Sequence, residues 1–102
     1  MEMAITADPI TAEEAAEHGL VARLTEPGGA LEEALSLAER IARNAPLAVA
    51  ASKQVIRATQ GSTEAELWAI QGPLRDGVFA SDDAREGPRA FAEKRPPEWS
   101  GA

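Results

Sequence analysis

Apolar residues recur at helical spacing through the middle of the chain. From Ala30 to Arg43, and again from Pro46 to Gly61, they fall every three or four positions, with most charges on other faces. Asn44-Ala45-Pro46 separates the two segments, and proline suits the first position of a helix. The pattern therefore predicts two helices joined by a short turn.

Two capping boxes mark further helix starts. In this motif a threonine hydroxyl accepts from the backbone amide three residues later, and the glutamate at that position reaches back to the threonine amide. Thr11 and Glu14 open a short helix over residues 11–18, which Gly19 ends with a left-handed stop. Thr63 and Glu66 open a longer helix.

Proline and capping residues divide the last third of the chain. Gly72-Pro73 interrupts the longer helix, because proline lacks a backbone donor and clashes with the preceding turn, so a kink or break is predicted there. Ser81 or Asp82 caps a final helix whose first turn is acidic, as the helix dipole favours. That helix ends on Lys94-Arg95, before Pro96-Pro97.

One segment departs from helical spacing. Leu20-Val21-Ala22-Arg23-Leu24 alternates in β fashion, which predicts a short strand. A lone strand of this length is not stable, so we expect its sheet to be completed by residues outside this chain. The predicted fold class is mainly α, with about five helices and one short orphan strand near Leu20-Leu24.

Composition narrows the class of protein. A length of 102 residues predicts one domain, and 22 alanines favour closely packed helices over a core of large side chains. The net charge of -7 argues against nucleic-acid binding, and the absence of cysteine excludes disulfides and thiolate metal sites. No apolar run approaches a membrane span, and the acidic start of the sequence does not resemble a signal peptide, so a cytoplasmic location is expected.

Three segments, in matching order and spacing, resemble the C-terminal part of the enoyl-CoA hydratase/isomerase (crotonase) family. The first runs from Met1 to Ala15 and is closed by Gly19-Leu20-Val21; the second is the Ala30–Lys53 helical pair; the third is Ser81-Asp82-Asp83-Ala84-Arg85-Glu86-Gly87 with Ala90-Phe91 and Glu93-Lys94-Arg95. The resemblance implies a spiral core of βαβ units followed by helices that assemble trimers. Residues 1–28 would then end the core, with helix 11–18 and strand 20–24, and residues 29–102 would form the helical oligomerisation region.

The resemblance also implies a chemistry. Family members bind acyl-CoA thioesters and stabilise an enolate with two backbone amides, and hydratases add water to enoyl-CoA with two glutamates. In the family pattern these groups precede the segments found here. Glu2, Glu13 and Glu14 do not fall at the catalytic positions. No catalytic residue is therefore assigned, and the chain is expected to be an inactive C-terminal piece or a separately encoded one. No cofactor is expected beyond the coenzyme A that the substrate carries.

Two residues are carried over as coenzyme A contacts across a subunit interface. In the family an aromatic and a lysine of the Ala-Phe-x-Glu-Lys-Arg motif often lie near the coenzyme A of a neighbouring subunit, and here these are Phe91 and Lys94. Each residue also has a purely structural interpretation. Phe91 could be part of a buried core, and Lys94 could be a charge that complements the helix end. Arg75 stands where hydratases often have another aromatic near the acyl chain, which departs from the family pattern.

Other polar and aromatic residues have ordinary explanations. We expect His18 to be a charge at a helix end, and Trp68 and Trp99 to pack at interfaces with partners. Asp82, Asp83 and Glu86 could suggest a metal, but acids at a helix N-terminus normally complement its dipole, and no metal site is predicted.

Three functions remain open from the sequence. The first is the C-terminal portion of an enoyl-CoA hydratase/isomerase-like protein, which meets acyl-CoA only with a complete core and forms a homo-oligomer. The second is a free-standing helical module that self-associates or docks on a crotonase-like core without catalysis. The third is an autonomous coenzyme A binder that uses Phe91 and Lys94.

Overall fold

The computed structural model describes the backbone of residues 2–102 and the side chains from residue 3 onward. This part of the chain holds six helices, which confirms the mainly α fold class. Five of them correspond to the predicted helices, and the additional one is the short helix at the start of the chain. In chain order they are α1 (Glu2–Thr6), α2 (Ala12–Glu17), α3 (Ala30–Ala42), α4 (Pro46–Ala58), α5 (Glu64–Ala80) and α6 (Asp82–Glu93).

The chain divides into two compact units. The first ends at Leu37, and the second spans Ala38–Ala102. In the second unit α4 packs on α5, and α5 packs on α6. No described helix combines the length and apolar character that a bilayer-spanning segment needs.

Both predicted capping boxes are confirmed. The Glu14 amide donates to the Thr11 hydroxyl at 3.1 Å, and the Thr11 amide donates to the Glu14 carboxylate at 2.8 Å. The corresponding distances between Glu66 and Thr63 are 3.4 and 2.8 Å. In each box the threonine backbone amide, and then the hydroxyl, lowers the pKa of the glutamate. Pro46 is likewise the first residue of α4, as predicted.

The strand predicted over Leu20–Leu24 was wrong, and no strand occurs among the described residues. The reason lies in how α2 ends. Gly19 is left-handed, with φ 70°, and the Leu20 amide donates back to the Ala15 carbonyl at 2.8 Å. The Val21 amide points to the same carbonyl at 3.4 Å. The first two amides of the expected strand therefore close the helix.

A kink or break was predicted at Gly72-Pro73, and the break does not occur, because α5 runs unbroken from Glu64 to Ala80 with Pro73 inside it. Part of the usual penalty comes from the ring of proline against the Cβ of the preceding residue. Gly72 has no Cβ, so that clash is absent. The same pairing recurs in α6, where Gly87 precedes Pro88 within the helix.

Few side chains in the described part of the chain are buried. Among the described residues Ala90, at 1% exposed, is the buried hydrophobic one, and the buried polar residues are Ser81 and Asp83. Large apolar side chains lie open instead, among them Leu31, Leu35, Ile56, Phe79 and Phe91. The buried residues therefore all belong to α6 and its N-cap, Ser81.

Candidate functional site

Ser81 joins α5 to α6 and caps the second of these helices. Its hydroxyl accepts from the Ala84 amide at 3.2 Å and donates to the Val78 carbonyl at 2.7 Å. The residue is 7% exposed, so both bonds are shielded from water. Of the two predicted caps, the structure selects Ser81 rather than Asp82.

Helix α6 ends in a left-handed turn at Lys94, with φ 55° and ψ 37°. The Lys94 amide donates to the Phe91 carbonyl at 3.2 Å, and the Arg95 amide donates to the Ala90 carbonyl at 3.1 Å. This bonding pattern normally places glycine at the left-handed position. For a residue with a side chain that conformation costs about 1–2 kcal/mol, so the surrounding contacts must hold Lys94 there.

Arg95, the next residue, contributes several of those contacts. Its guanidinium donates to both carboxylate oxygens of Glu86, at 2.5 and 3.0 Å, and to a Glu93 oxygen at 2.6 Å. A further bond of 3.0 Å reaches the Pro96 carbonyl. The Arg95 hydrogen bonds, followed by one from the Glu98 amide, lower the pKa of Glu86 to about 2. The end of α6 is thus tied to its own middle by a bidentate ion pair.

The last residues of the chain fold back along α6. Asp83, 4% exposed, accepts from the Ser100 amide at 2.7 Å, the Ser100 hydroxyl at 3.1 Å and the Gly101 amide at 3.2 Å. The Glu98 amide donates to Glu86 at 2.9 Å. The carboxylates of Asp83 and Glu86 therefore bind amides of the tail, and no cluster of three metal-capable side chains forms among the described residues.

Trp99 anchors this tail to the end of α3. Its indole N–H donates to the Arg43 carbonyl at 2.8 Å. The ring lies over Gly87, where an added Cβ would stand 3.4 Å from the nearest ring atom. Trp99 was expected to anchor a partner, whereas here it anchors its own chain. Trp68, in contrast, is 61% exposed and open to a partner.

The two predicted coenzyme A contacts are both exposed at the end of α6. Phe91 is 87% exposed, so within this chain the buried-core reading does not hold. Lys94 is also exposed and stands three positions later. The arginines of α6 are already paired, Arg85 with Asp82 and Arg89 with Glu93. No acidic side chain of the described residues lies within 4.0 Å of the Lys94 ammonium.

An apolar groove of about 390 Å³ lies between α4 and α5. Ile56, Leu74, Val78 and Phe79 supply much of its lining, and Arg75 lies at the same groove. The guanidinium of Arg75 bonds to Asp76 beside it, at 2.7 Å, and both side chains are largely exposed. The residue that departs from the family pattern therefore adds an ion pair at the groove.

Comparison with known proteins places this helical architecture in a family. The family model described as enoyl-CoA hydratase/isomerase matches residues 1–102, and the chain belongs to that family. It is similar to enoyl-CoA hydratase EchA19 of Mycobacterium tuberculosis, 47% identical over 98 residues, which are 96% of this chain and 37% of the relative. It is also similar to carnitinyl-CoA dehydratase of Salmonella arizonae, 44% identical over 98% of this chain and 40% of the relative.

Solved structures also match most or all of the chain. Enoyl-CoA hydratase EchA1 of Mycobacterium marinum superposes with a TM-score of 0.94 at 48% identity, over 100% of this chain and 40% of that one. An enoyl-CoA hydratase of Bacillus anthracis gives 0.85 at 34% identity, over 91% and 36%. The chain thus corresponds to the C-terminal helical part of the crotonase fold, and spans about two fifths of the length of these relatives.

Proposed function

We propose that this chain is the C-terminal portion of an enzyme of the enoyl-CoA hydratase/isomerase type, acting on acyl-CoA thioesters. Its own part is to supply oligomer contacts and a coenzyme A contact through Phe91 and Lys94. No catalytic role is proposed for any of its residues, and alone it does not hydrate enoyl-CoA. The observation that carries the proposal is the match of the entire chain to a solved enoyl-CoA hydratase, with a TM-score of 0.94 at 48% identity.

The end of α6 has the chemistry that coenzyme A requires. The open face of Phe91 suits the flat adenine ring, where an aromatic contact is worth about 1 kcal/mol. The Lys94 ammonium is a compact point charge without an acidic partner among the described residues, and it suits a phosphate. The spacing of the two residues allows one ligand to touch both. The enolate chemistry belongs to family segments that precede those recognised here.

A chimera tests the proposal. The segment of EchA19 that aligns with this chain is replaced by this chain, and hydration of crotonyl-CoA is followed. We expect hydratase activity from the chimera. Phe91→Ala and Lys94→Ala in it should raise KM by about tenfold, which corresponds to about 1.4 kcal/mol of binding, with kcat little changed. Arg89→Ala, on the same helix, serves as the matched control. Unchanged KM in both variants would remove the coenzyme A contact.

A second function is favoured by the open apolar side chains. Phe79 is 74% exposed and Ile56 66%, and both line the groove between α4 and α5. Surfaces of this kind are covered by partners in stable proteins. The alternative is therefore a helical module that self-associates or docks on a crotonase-like core without catalysis. Light scattering and small-angle scattering test whether the module needs a partner. A compact monomer of this length has a radius of gyration of about 13 Å, and finding one would rule out an obligate partner.

A further inference from the structure

The placement of Phe91 and Lys94 depends on one left-handed turn. Lys94 has φ 55°, a region that residues with a side chain seldom occupy. Its amide bonds to the Phe91 carbonyl itself, at 3.2 Å. The geometry of the turn therefore sets the direction in which the lysine leaves the helix relative to the ring.

Glu86 reaches this turn from the middle of the helix. It binds the Arg95 guanidinium through both oxygens, at 2.5 and 3.0 Å, across nine positions. The two side chains are 15% and 29% exposed, and they are the least exposed ion pair among the described residues. A bidentate guanidinium–carboxylate pair fixes orientation as well as distance. Since Arg95 is the residue after Lys94, this pair constrains the turn directly.

We propose that Glu86 is a positioning residue for coenzyme A: through Arg95 it holds the left-handed turn that presents Phe91 and Lys94. The idea rests on the proposed function, because it assumes that these two side chains meet the ligand. Glu86 does not touch coenzyme A in this account. Its carboxylate already accepts hydrogen bonds from Arg95 and from the Glu98 amide, which donates to it at 2.9 Å.

Removing Glu86 is expected to make the turn less ordered, and not to remove a contact with the ligand. A turn that is already fixed need not be ordered when the ligand binds, which improves affinity. Without Glu86, Arg95 keeps its bond to Glu93, but that partner lies on the last turn itself and is 49% exposed. The turn then loses its link to the body of α6, and the lysine samples other directions.

Backbone NMR of the full chain tests the first half of the inference. We expect the heteronuclear NOE of the Lys94 and Arg95 amides to match that of central α6 in the wild type, and to fall clearly in Glu86→Ala. Glu86→Gln keeps the side-chain shape and one acceptor oxygen, and should give an intermediate loss. Asp82→Asn is the matched control, an exposed acid of the same helix that pairs with Arg85. Amides at Lys94 and Arg95 that stay as ordered in Glu86→Ala and Glu86→Gln as in the control would overturn the inference.

Coenzyme A binding by the chimera with EchA19, which carries a complete core, tests the second half. Glu86→Ala in the chimera should weaken binding by about five- to tenfold, which corresponds to about 1 kcal/mol. In a Lys94→Ala background the same change should have little further effect, because the positioned group is gone. A full additional loss in that background would overturn the inference. A chimera whose affinity for coenzyme A is unchanged by Phe91→Ala and Lys94→Ala would instead overturn the proposed coenzyme A contact, and the NOE comparison would still decide the role of Glu86 in the turn.

Discussion

The indole N–H of Trp99 donates to the backbone carbonyl of Arg43 at 2.8 Å, across 56 positions of the chain. This bond joins the last residues to the end of α3. With the bonds from tail amides to Asp83 and Glu86, it makes the tail a packed part of the second unit. This packing supports α6, the helix that carries Phe91 and leads into Lys94.

Replacing Trp99 should loosen the tail in two steps. Trp99→Phe keeps the ring and removes one hydrogen bond, so we expect a loss of about 1 kcal/mol in the free energy of unfolding. Trp99→Ala also removes the ring contact and should lose about 2 kcal/mol, less than a fully buried tryptophan would. Urea unfolding measures both. The control is Trp68→Phe, at a side chain that is 61% exposed, and equal losses at the two tryptophans would contradict the prediction.

Asp83 should be the main attachment of the final residues. Asp83→Asn replaces a carboxylate oxygen by an NH2 group that cannot accept from the Ser100 and Gly101 amides. We therefore expect the free energy of unfolding to fall by about 1–3 kcal/mol. Carboxypeptidase should then release the C-terminal residues faster, as mass spectrometry would show. Asp76→Asn, an exposed acid on α5, is the control and should digest like the wild type. Equal digestion of both variants would show that Asp83 does not hold the tail.

Acid should release the Glu86–Arg95 pair at an unusually low pH. The pKa of Glu86 is lowered from 4.5 to about 2, first by the Arg95 hydrogen bonds and then by the Glu98 amide. A lowered carboxylate pKa gives stability that is complete above the unfolded value and disappears as pH falls through the folded value. The local order of the Lys94 turn should therefore persist at neutral pH and decline from about 4.5 to about 2.

The carboxyl carbon signal of Glu86 follows this transition by NMR. Glu86→Gln is the control, because it should remove the transition at the Glu98 amide while leaving other acid-dependent changes in place. A Glu86 signal that titrates near 4.5 would mean that the ion pair contributes nothing in solution.

Proline inside α5 should be a point of weakness. Pro73→Ala restores an amide that can donate to the Ala69 carbonyl, and removes the ring from the helix interior. Because an interior proline costs about 3 kcal/mol, we expect stabilisation of about 1–3 kcal/mol, part of which the freer unfolded chain offsets. Thermal unfolding measures it. Pro27→Ala, in the loop before α3, should act in the opposite direction, and a Pro73→Ala variant that melts no higher than wild type would refute the argument.

Local signals in the sequence predicted most of the helices. Thr11 with Glu14, Thr63 with Glu66, and Pro46 act within three or four residues, and each helix start appears where its signal stands. The predictions that failed required weighing one local signal against another. The alternating pattern at Leu20–Leu24 predicted a strand, but the amides of Leu20 and Val21 close α2 instead. Pro73 is accommodated inside α5 because Gly72 precedes it.

The site was predicted only in part. The resemblance predicted Phe91 and Lys94 as coenzyme A contacts; both are exposed at the end of α6, and the contact itself stays a prediction. The supporting contacts were missed. Asp83 and Glu86 were interpreted as complements of the helix dipole, although they bind tail amides 12 to 18 positions away. The sequence places Asp83 and Glu86 three residues apart on the helix that precedes the tail, and nothing else in it indicates that they bind the tail amides.

Hydration of crotonyl-CoA is the measurement that tests the central claim most directly. It should be followed for this chain alone, for EchA19 lacking the aligned segment, and for the chimera that joins the two. We predict no turnover from either part alone and clear turnover from the chimera, reduced at low substrate by Lys94→Ala. Turnover by this chain alone, in a preparation free of host hydratase, or an inactive but folded chimera, would contradict it.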